Sequence, residues 1–111
     1  MSDSSAAGPQ LGHMVYFRLK DNSPAAIDKL VASCRQHLSG HPGTVFFGVG
    51  TRDFELNREV NVQDFDVALQ LVFQNRAAHD RYQAADRHQS FIAENKENWA
   101  GVRVFDAHVT S

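Results

Sequence analysis

From residue 12 onward, the apolar positions switch repeatedly between a period of two and a period near 3.6, and the switches mark out the elements. "GHMVYFRLK" alternates, with His13, Val15, Phe17 and Leu19 on one face and Met14, Tyr16, Arg18 and Lys20 on the other; this predicts a strand near 12–20. "DNSPAAIDKLVASCRQHLSGHPG" then carries Ile27, Leu30, Val31, Cys34 and Leu38 at helical spacing. Ser23 as N-cap, Pro24 at the first helical position and Gly40 with Pro42 beyond the end bound that helix near 24–39. "TVFFGVGTRD" predicts a second strand near 44–52, where Gly48 and Gly50 suggest a bulge or a close approach. A polar stretch, 54–63, reads as a long hairpin excursion. "DFDVALQLVF" predicts a third strand near 64–73, with Phe65, Val67, Leu69, Leu71 and Phe73 on one face and Asp64, Asp66, Ala68, Gln70 and Val72 on the other.

Asn75 caps a helical stretch running to about residue 98. Within it lies "RYQAADRHQSF". On one straight helix Tyr82 and His88 would point about 120° apart. Asp86, with Gln89 three residues on, resembles a fresh N-cap with a capping box, so a break is expected around 85–87. Beyond it His88, Phe91, Ile92, Asn95 and Trp99 form one stripe. "GVRVFDAHV" predicts the last strand near 101–109, with Val102, Val104, Asp106 and His108 opposite Arg103, Phe105, Ala107 and Val109. The order β-α-β-β-α-β is the ferredoxin-like, α+β arrangement. "MSDSSAAGPQ" is small and polar, so residues 1–11 read as a disordered leader before a single domain at 12–109.

Two helices cover only one face of a four-stranded sheet. The other face mixes Met14, Tyr16, Val72, Phe105 and Val109 with Arg18, Asp66, Gln70 and Arg103, too apolar for solvent and too charged for a monomer core. A homodimer closed sheet to sheet satisfies both conditions, with Tyr16, Arg18, Val72, Arg103 and Phe105 at or near the interface.

Composition narrows the function. The chain has 111 residues, enough for one core, and its 42% hydrophobic and 22% charged content belongs to a globular domain. A net charge of -2 without a basic cluster argues against nucleic acid as a partner. No apolar run approaches the roughly 20 residues of a membrane span, and no signal peptide follows Met1, so a cytoplasmic protein is expected. The one cysteine, Cys34, excludes an internal disulfide or a multi-Cys zinc site, and its place on the apolar stripe of the first helix makes it core. His37 and His41, without a third ligand, make only a weak metal case, and His79 and His108 have no partner that the pattern identifies. No phosphate loop, nucleotide motif or flavin fingerprint occurs, so no metal and no cofactor is expected.

The stretches "GHMVYFRLKD", "HPGTVFFGVG", "DVALQLVF", "RYQAADRHQSF" and "VRVFDAHV" together resemble the stress-responsive dimeric α/β-barrel (Dabb) family over about residues 12–109. Tyr82, His88 and Phe91 match the family's Tyr-x-x-His-Pro-x-His pattern and the Phe after it, and Asp106 matches its Asp in the final strand. Ala85-Asp86 stands where the family usually has His-Pro. The resemblance implies a ferredoxin-like homodimer. Some branches implied by it are stress-accumulated proteins without an assigned reaction; one resembles polyketide cyclases that use a Tyr and a His in a pocket between sheet and helices.

The residues themselves allow two functions. In the first, the protein is a non-catalytic dimer that binds a small hydrophobic ligand. In the second, it is a cofactor-free cyclase or lyase acting on a polyketide-like carbonyl compound. There His88 would be the general base, Tyr82 the hydrogen-bond donor to the carbonyl oxygen, and Asp106 the carboxylate that orients His88. Alternatively, His88 and Asp106 simply tie helix to sheet. In either case the expected pocket is walled by Val15, Phe17, Phe47, Leu69, Phe91 and Val104, with His13 at its mouth.

Overall fold

The structure is a computed structural model and describes residues 8–110. Most of the leader expected at 1–11 lies outside the described residues. Its last two positions do not behave as leader: Gln10 and Leu11 already belong to the first strand, and Leu11 is buried. The elements are β1 (Gln10–Leu19), α1 (Pro24–Leu38), β2 (Thr44–Thr51), β3 (Val67–Phe73), α2 (Arg76–Ala84), α3 (Asp86–Asn95), a 3-10 turn (Lys96–Asn98) and β4 (Trp99–Val109). The four strands form one antiparallel sheet in the order β2-β3-β1-β4. This is the ferredoxin-like order with its last helix in two pieces.

The caps behave as their chemistry requires. The Ser23 hydroxyl accepts the Ala26 N–H and the Asn75 side chain accepts the Ala78 N–H, each relieving one orphan donor at a helix start. Gly43 has a positive φ of 85°, and a Cβ there would sit 2.5 Å from the Ala78 Cβ. Only glycine allows that approach, which brings α2 down beside the start of β2.

The break in the last helix is at Ala85, whose ψ of 145° is extended. Its N–H bonds the Tyr82 carbonyl to close α2, and its own carbonyl accepts from His88 and Gln89 to open α3. Ala85 is therefore the N-cap, without a side-chain bond, and Asp86 is the first helical residue rather than the cap expected of it. There its carboxylate still complements the positive helix end. Gln89 does not complete a capping box; its amide donates to the Gln83 carbonyl across the break.

Leu11, Val15, Phe17 and Leu19 from β1 and Val67, Leu69, Leu71 and Phe73 from β3 meet Leu30, Cys34 and Leu38 from α1 and Tyr82 and Phe91 from α2 and α3. β1 and β3 are the central strands, which is why the core concentrates on them. β4 is an edge strand, so Val102 and Val104 face the helices' side yet stay 40% and 49% exposed. Phe65 corrects the parity reading. It lies before β3 begins and packs on Tyr16 at 5.1 Å between ring centroids, on the sheet's outer face. Alternation holds only inside a strand, and here the chain is pinned at Asp66: its N–H bonds the Phe17 carbonyl and its carboxylate accepts the Leu19 N–H.

Residues 52–66 form no helix or strand and connect β2 to β3. Gln63 folds this excursion on itself by donating to the Leu56 carbonyl and accepting from Arg52 through its own carbonyl. Phe54, Leu56, Val60 and Val62 on it are exposed.

Candidate functional site

The break at Ala85 turns the tyrosine of α2 and the histidine of α3 toward each other. Tyr82 and His88 meet edge to face, 4.8 Å between centroids and 80° between planes. Tyr82 is the hub of a ring cluster, with Phe73 at 4.9 Å, His41 at 5.0 Å and His13 at 6.0 Å. Contact is not a hydrogen bond, however. Among the described residues neither the Tyr82 hydroxyl nor the His88 Nδ1 has a partner, although both atoms are buried.

Beside these rings, between the two short helices and the β3-β1-β4 part of the sheet, lies a cavity of about 150 Å³. Of the ten residues expected at the site, all but Phe47 and Asp106 line it. Phe47 is on β2, separated from the cavity by β3, and packs at the margin of the core. Trp99, Ile92, Leu38, Val102 and Gln83 complete the wall. A larger depression of about 470 Å³ lies elsewhere, between α1 and the 3-10 turn; it is lined by residues such as Asp21, Lys29, Glu94 and Glu97 and holds none of the ring groups.

Asp106 is engaged differently from expectation. Its Oδ1 lies 2.5 Å from the Nδ1 of His13, its cross-strand partner in the β1–β4 register, and it does not bond His88. The physical reason is register: directly paired residues on adjacent strands sit closer than a strand residue and a helix above it. His13 itself is buried. With its Nδ1–H donated to Asp106, its Nε2 accepts a long 3.4 Å bond from the Gln83 amide. Gln83 and His79 are functional candidates the sequence did not single out. Both lie on the face of α2 that carries Tyr82, and His79 stacks edge-on against His13 at 5.0 Å. The only sequence signal was the three-residue spacing from His79 to Tyr82.

Burial disfavours the charged forms of His88, His13 and Tyr82. Burial pushes the His88 imidazole down to about 4, helped by the neighbouring His13, His41 and His79. Burial also lowers His13, against the opposing pull of Asp106, and it raises the Tyr82 phenol above its ordinary range. At neutral pH Tyr82 is thus a protonated donor, and His88 offers one donor and one acceptor nitrogen. Cys34, fully buried, has its thiol pushed up to about 12 and is core rather than nucleophile. His37 bonds Glu94 at 2.9 Å and His41 donates to the His37 carbonyl at 2.7 Å, ties that hold the end of α1. For a metal, His13, His79 and Asp106 offer ligand atoms all within 4.8 Å of one another.

Among solved structures, the chain resembles a dimeric ferredoxin-like protein of unknown function from Thermobifida fusca YX (17% identity, 92% of each chain covered, TM-score 0.76). It also resembles a Dabb family protein from Mesorhizobium loti (18% identity, 93% of this chain and 99% of that one, TM-score 0.76). A third similar structure is the hydroxynitrile lyase of Passiflora edulis (19% identity, 92% and 94%, TM-score 0.74). At these identities the likeness establishes the fold. No curated protein matches the sequence. The profile of the stress responsive A/B barrel domain matches residues 11–109, essentially the whole folded chain. With its ferredoxin-like sheet, its broken last helix and this match, the protein belongs to the stress responsive A/B barrel domain (Dabb) family.

Proposed function

We propose that this protein is a cytoplasmic homodimer that binds a small hydrophobic compound in the cavity beside Tyr82 and His88. The observation that carries the reading is the pair of buried polar atoms, Tyr82 Oη and His88 Nδ1, that have no partner among the described residues and belong to residues lining a mainly apolar cavity. Leaving such a group unpaired costs about 1–3 kcal/mol, which a ligand hydroxyl or carbonyl would recover. The size bounds the ligand: a cavity near 150 Å³ holds about one benzene ring. A single-ring phenol or aromatic aldehyde fits this chemistry, and a fused-ring polyketide does not fit inside it whole. Dimerisation is supported by the outer sheet face, where Tyr16 lies between Phe65 and Phe105 in a mainly apolar concavity of about 480 Å³.

The test uses Trp99, which lines the cavity, as the reporter. Titration with a panel of phenols and benzaldehydes should change its fluorescence saturably. Val102→Phe, at the exposed rim, should abolish the change while leaving the fold intact. A flat response across the panel, or equal affinity in Val102→Phe, would overturn the reading.

A second reading, a cofactor-free lyase or cyclase acting on a carbonyl compound, is favoured by the 2.5 Å His13–Asp106 pair. A carboxylate that holds one imidazole nitrogen fixes the tautomer and leaves the other nitrogen as a base. In this version Asp106 orients His13 rather than His88, and Tyr82 donates to the developing oxyanion. The fold shared with a hydroxynitrile lyase is compatible with it. Turnover of any panel carbonyl that is lost in Asp106→Asn and Tyr82→Phe would favour it over binding alone.

A further inference from the structure

We propose that His13, His79 and Asp106 form a binding site for one divalent transition-metal ion of the zinc class per subunit, beside the apolar cavity. Two imidazoles and one carboxylate are a recurring ligand set for such ions, and with three protein ligands the site keeps an open position. The ligands come from three elements that the fold brings together: His13 from β1, Asp106 from the paired position on β4, and His79 from α2 above them. Their ligand atoms lie within 4.8 Å of one another, so side-chain rotation alone can bring them round one ion. The His13–Asp106 pair, at 2.5 Å, has to open by roughly 0.8 Å, because two ligand atoms about 2.0 Å from one tetrahedral ion stand about 3.3 Å apart.

The surroundings are those of a supported site. The Nδ1 of His79 is hydrogen-bonded to Asp80 at 2.9 Å, which leaves its Nε2 as the ligating nitrogen; a carboxylate behind a histidine raises its basicity and fixes its ring. Asp80 is itself held by Arg76 at 2.8 Å. On the other side, Gln83 reaches the Nε2 of His13 and, by turning its amide, presents oxygen instead of nitrogen to that atom. The ion then takes the place of the proton on His13 Nδ1, and the neutral imidazole carries its proton on Nε2 instead, where the turned Gln83 oxygen accepts it. His37 and His41 are committed to Glu94 and to a backbone carbonyl and do not compete.

The test is calorimetric titration of the tag-free, EDTA-treated protein with Zn²⁺ alone, with Co²⁺ absorption as a check on ligand type. The expected result is saturable uptake of one ion per subunit. His79→Ala and Asp106→Asn, both at partly open positions, should each weaken it by at least about tenfold, and Asp80→Asn by about tenfold through the supporting bond. His108→Ala, outside the cluster, should leave it unchanged. Absence of saturable uptake, or uptake that survives both His79→Ala and Asp106→Asn, overturns the site. Because no organic ligand takes part, either result is independent of the cavity's occupant.

Discussion

His13 and Asp106 stand directly opposite each other on β1 and β4 and are joined Nδ1 to Oδ1 at 2.5 Å, one side buried and the other open. This pair links the cavity wall, to which His13 belongs, with the exposed edge of the sheet. It also decides which histidine has a carboxylate behind it: His13 has one, and His88 does not.

Asp106→Ala should cost about 1–3 kcal/mol of stability, because it leaves the Nδ1–H of a buried imidazole without an acceptor. Asp106→Asn, which retains an acceptor oxygen, should cost less. Urea denaturation at pH 7 distinguishes the two, and equal stability for wild type and Asp106→Ala would show that solvent already satisfies His13.

Stability should fall in mild acid because of His88. Its imidazole titrates near 4 in the folded protein against 6.5 when free, so the unfolded chain binds the proton first as the pH drops. The contribution is intact above pH 6.5, shrinks below it and levels off below about 4, with about 3 kcal/mol lost by pH 4. His88→Leu should flatten the stability curve across this window; a curve as steep as wild type would refute the assignment.

Tyr82→Phe should leave the protein as stable as before or stabilise it by up to about 1 kcal/mol, since it deletes a buried hydroxyl that bonds nothing among the described residues. The same substitution should weaken binding of any phenol or aldehyde that Trp99 fluorescence detects. A large loss of stability would mean that the hydroxyl is satisfied in solution. Tyr82→Ala, by contrast, should cost about 3–5 kcal/mol, because the ring is the hub of the cluster.

Phe105→Lys should convert the proposed dimer to monomers without unfolding the subunit, because Phe105 is 56% exposed on the outer sheet face. A stable interface of this kind should bury at least about 1,000 Å² in all, and a charge at its centre would not survive that burial. Sedimentation at micromolar concentration reads the outcome; a wild-type monomer, or an unaltered dimer in the variant, contradicts the placement of the interface.

Local rules were enough for much of the architecture. Ser23 with Pro24, and Asn75, marked helix starts because their side chains and ring act within one turn of chain. The alternation in β1 and β3 marked their faces because the strand period is two wherever a strand exists. The extended residue between Tyr82 and His88 was needed on helical geometry alone, and it lies at Ala85, one residue from the expected cap. What the sequence could not carry was anything set by register or by strand order. Phe65 fell on the wrong face because parity does not say where a strand begins. Phe47 was assigned to the pocket because nothing local says that β2 lies beyond β3. Val102 and Val104 proved half open because an edge strand is an edge only by virtue of its neighbours. Asp106 and His13 were both read as facing the helices, yet their partnership depends on a pairing between residues 93 positions apart, which hydrogen bonding along two whole strands fixes and no short pattern encodes. His79 joined them for the same reason: a helix carries it to that spot only after the sheet below has been assembled.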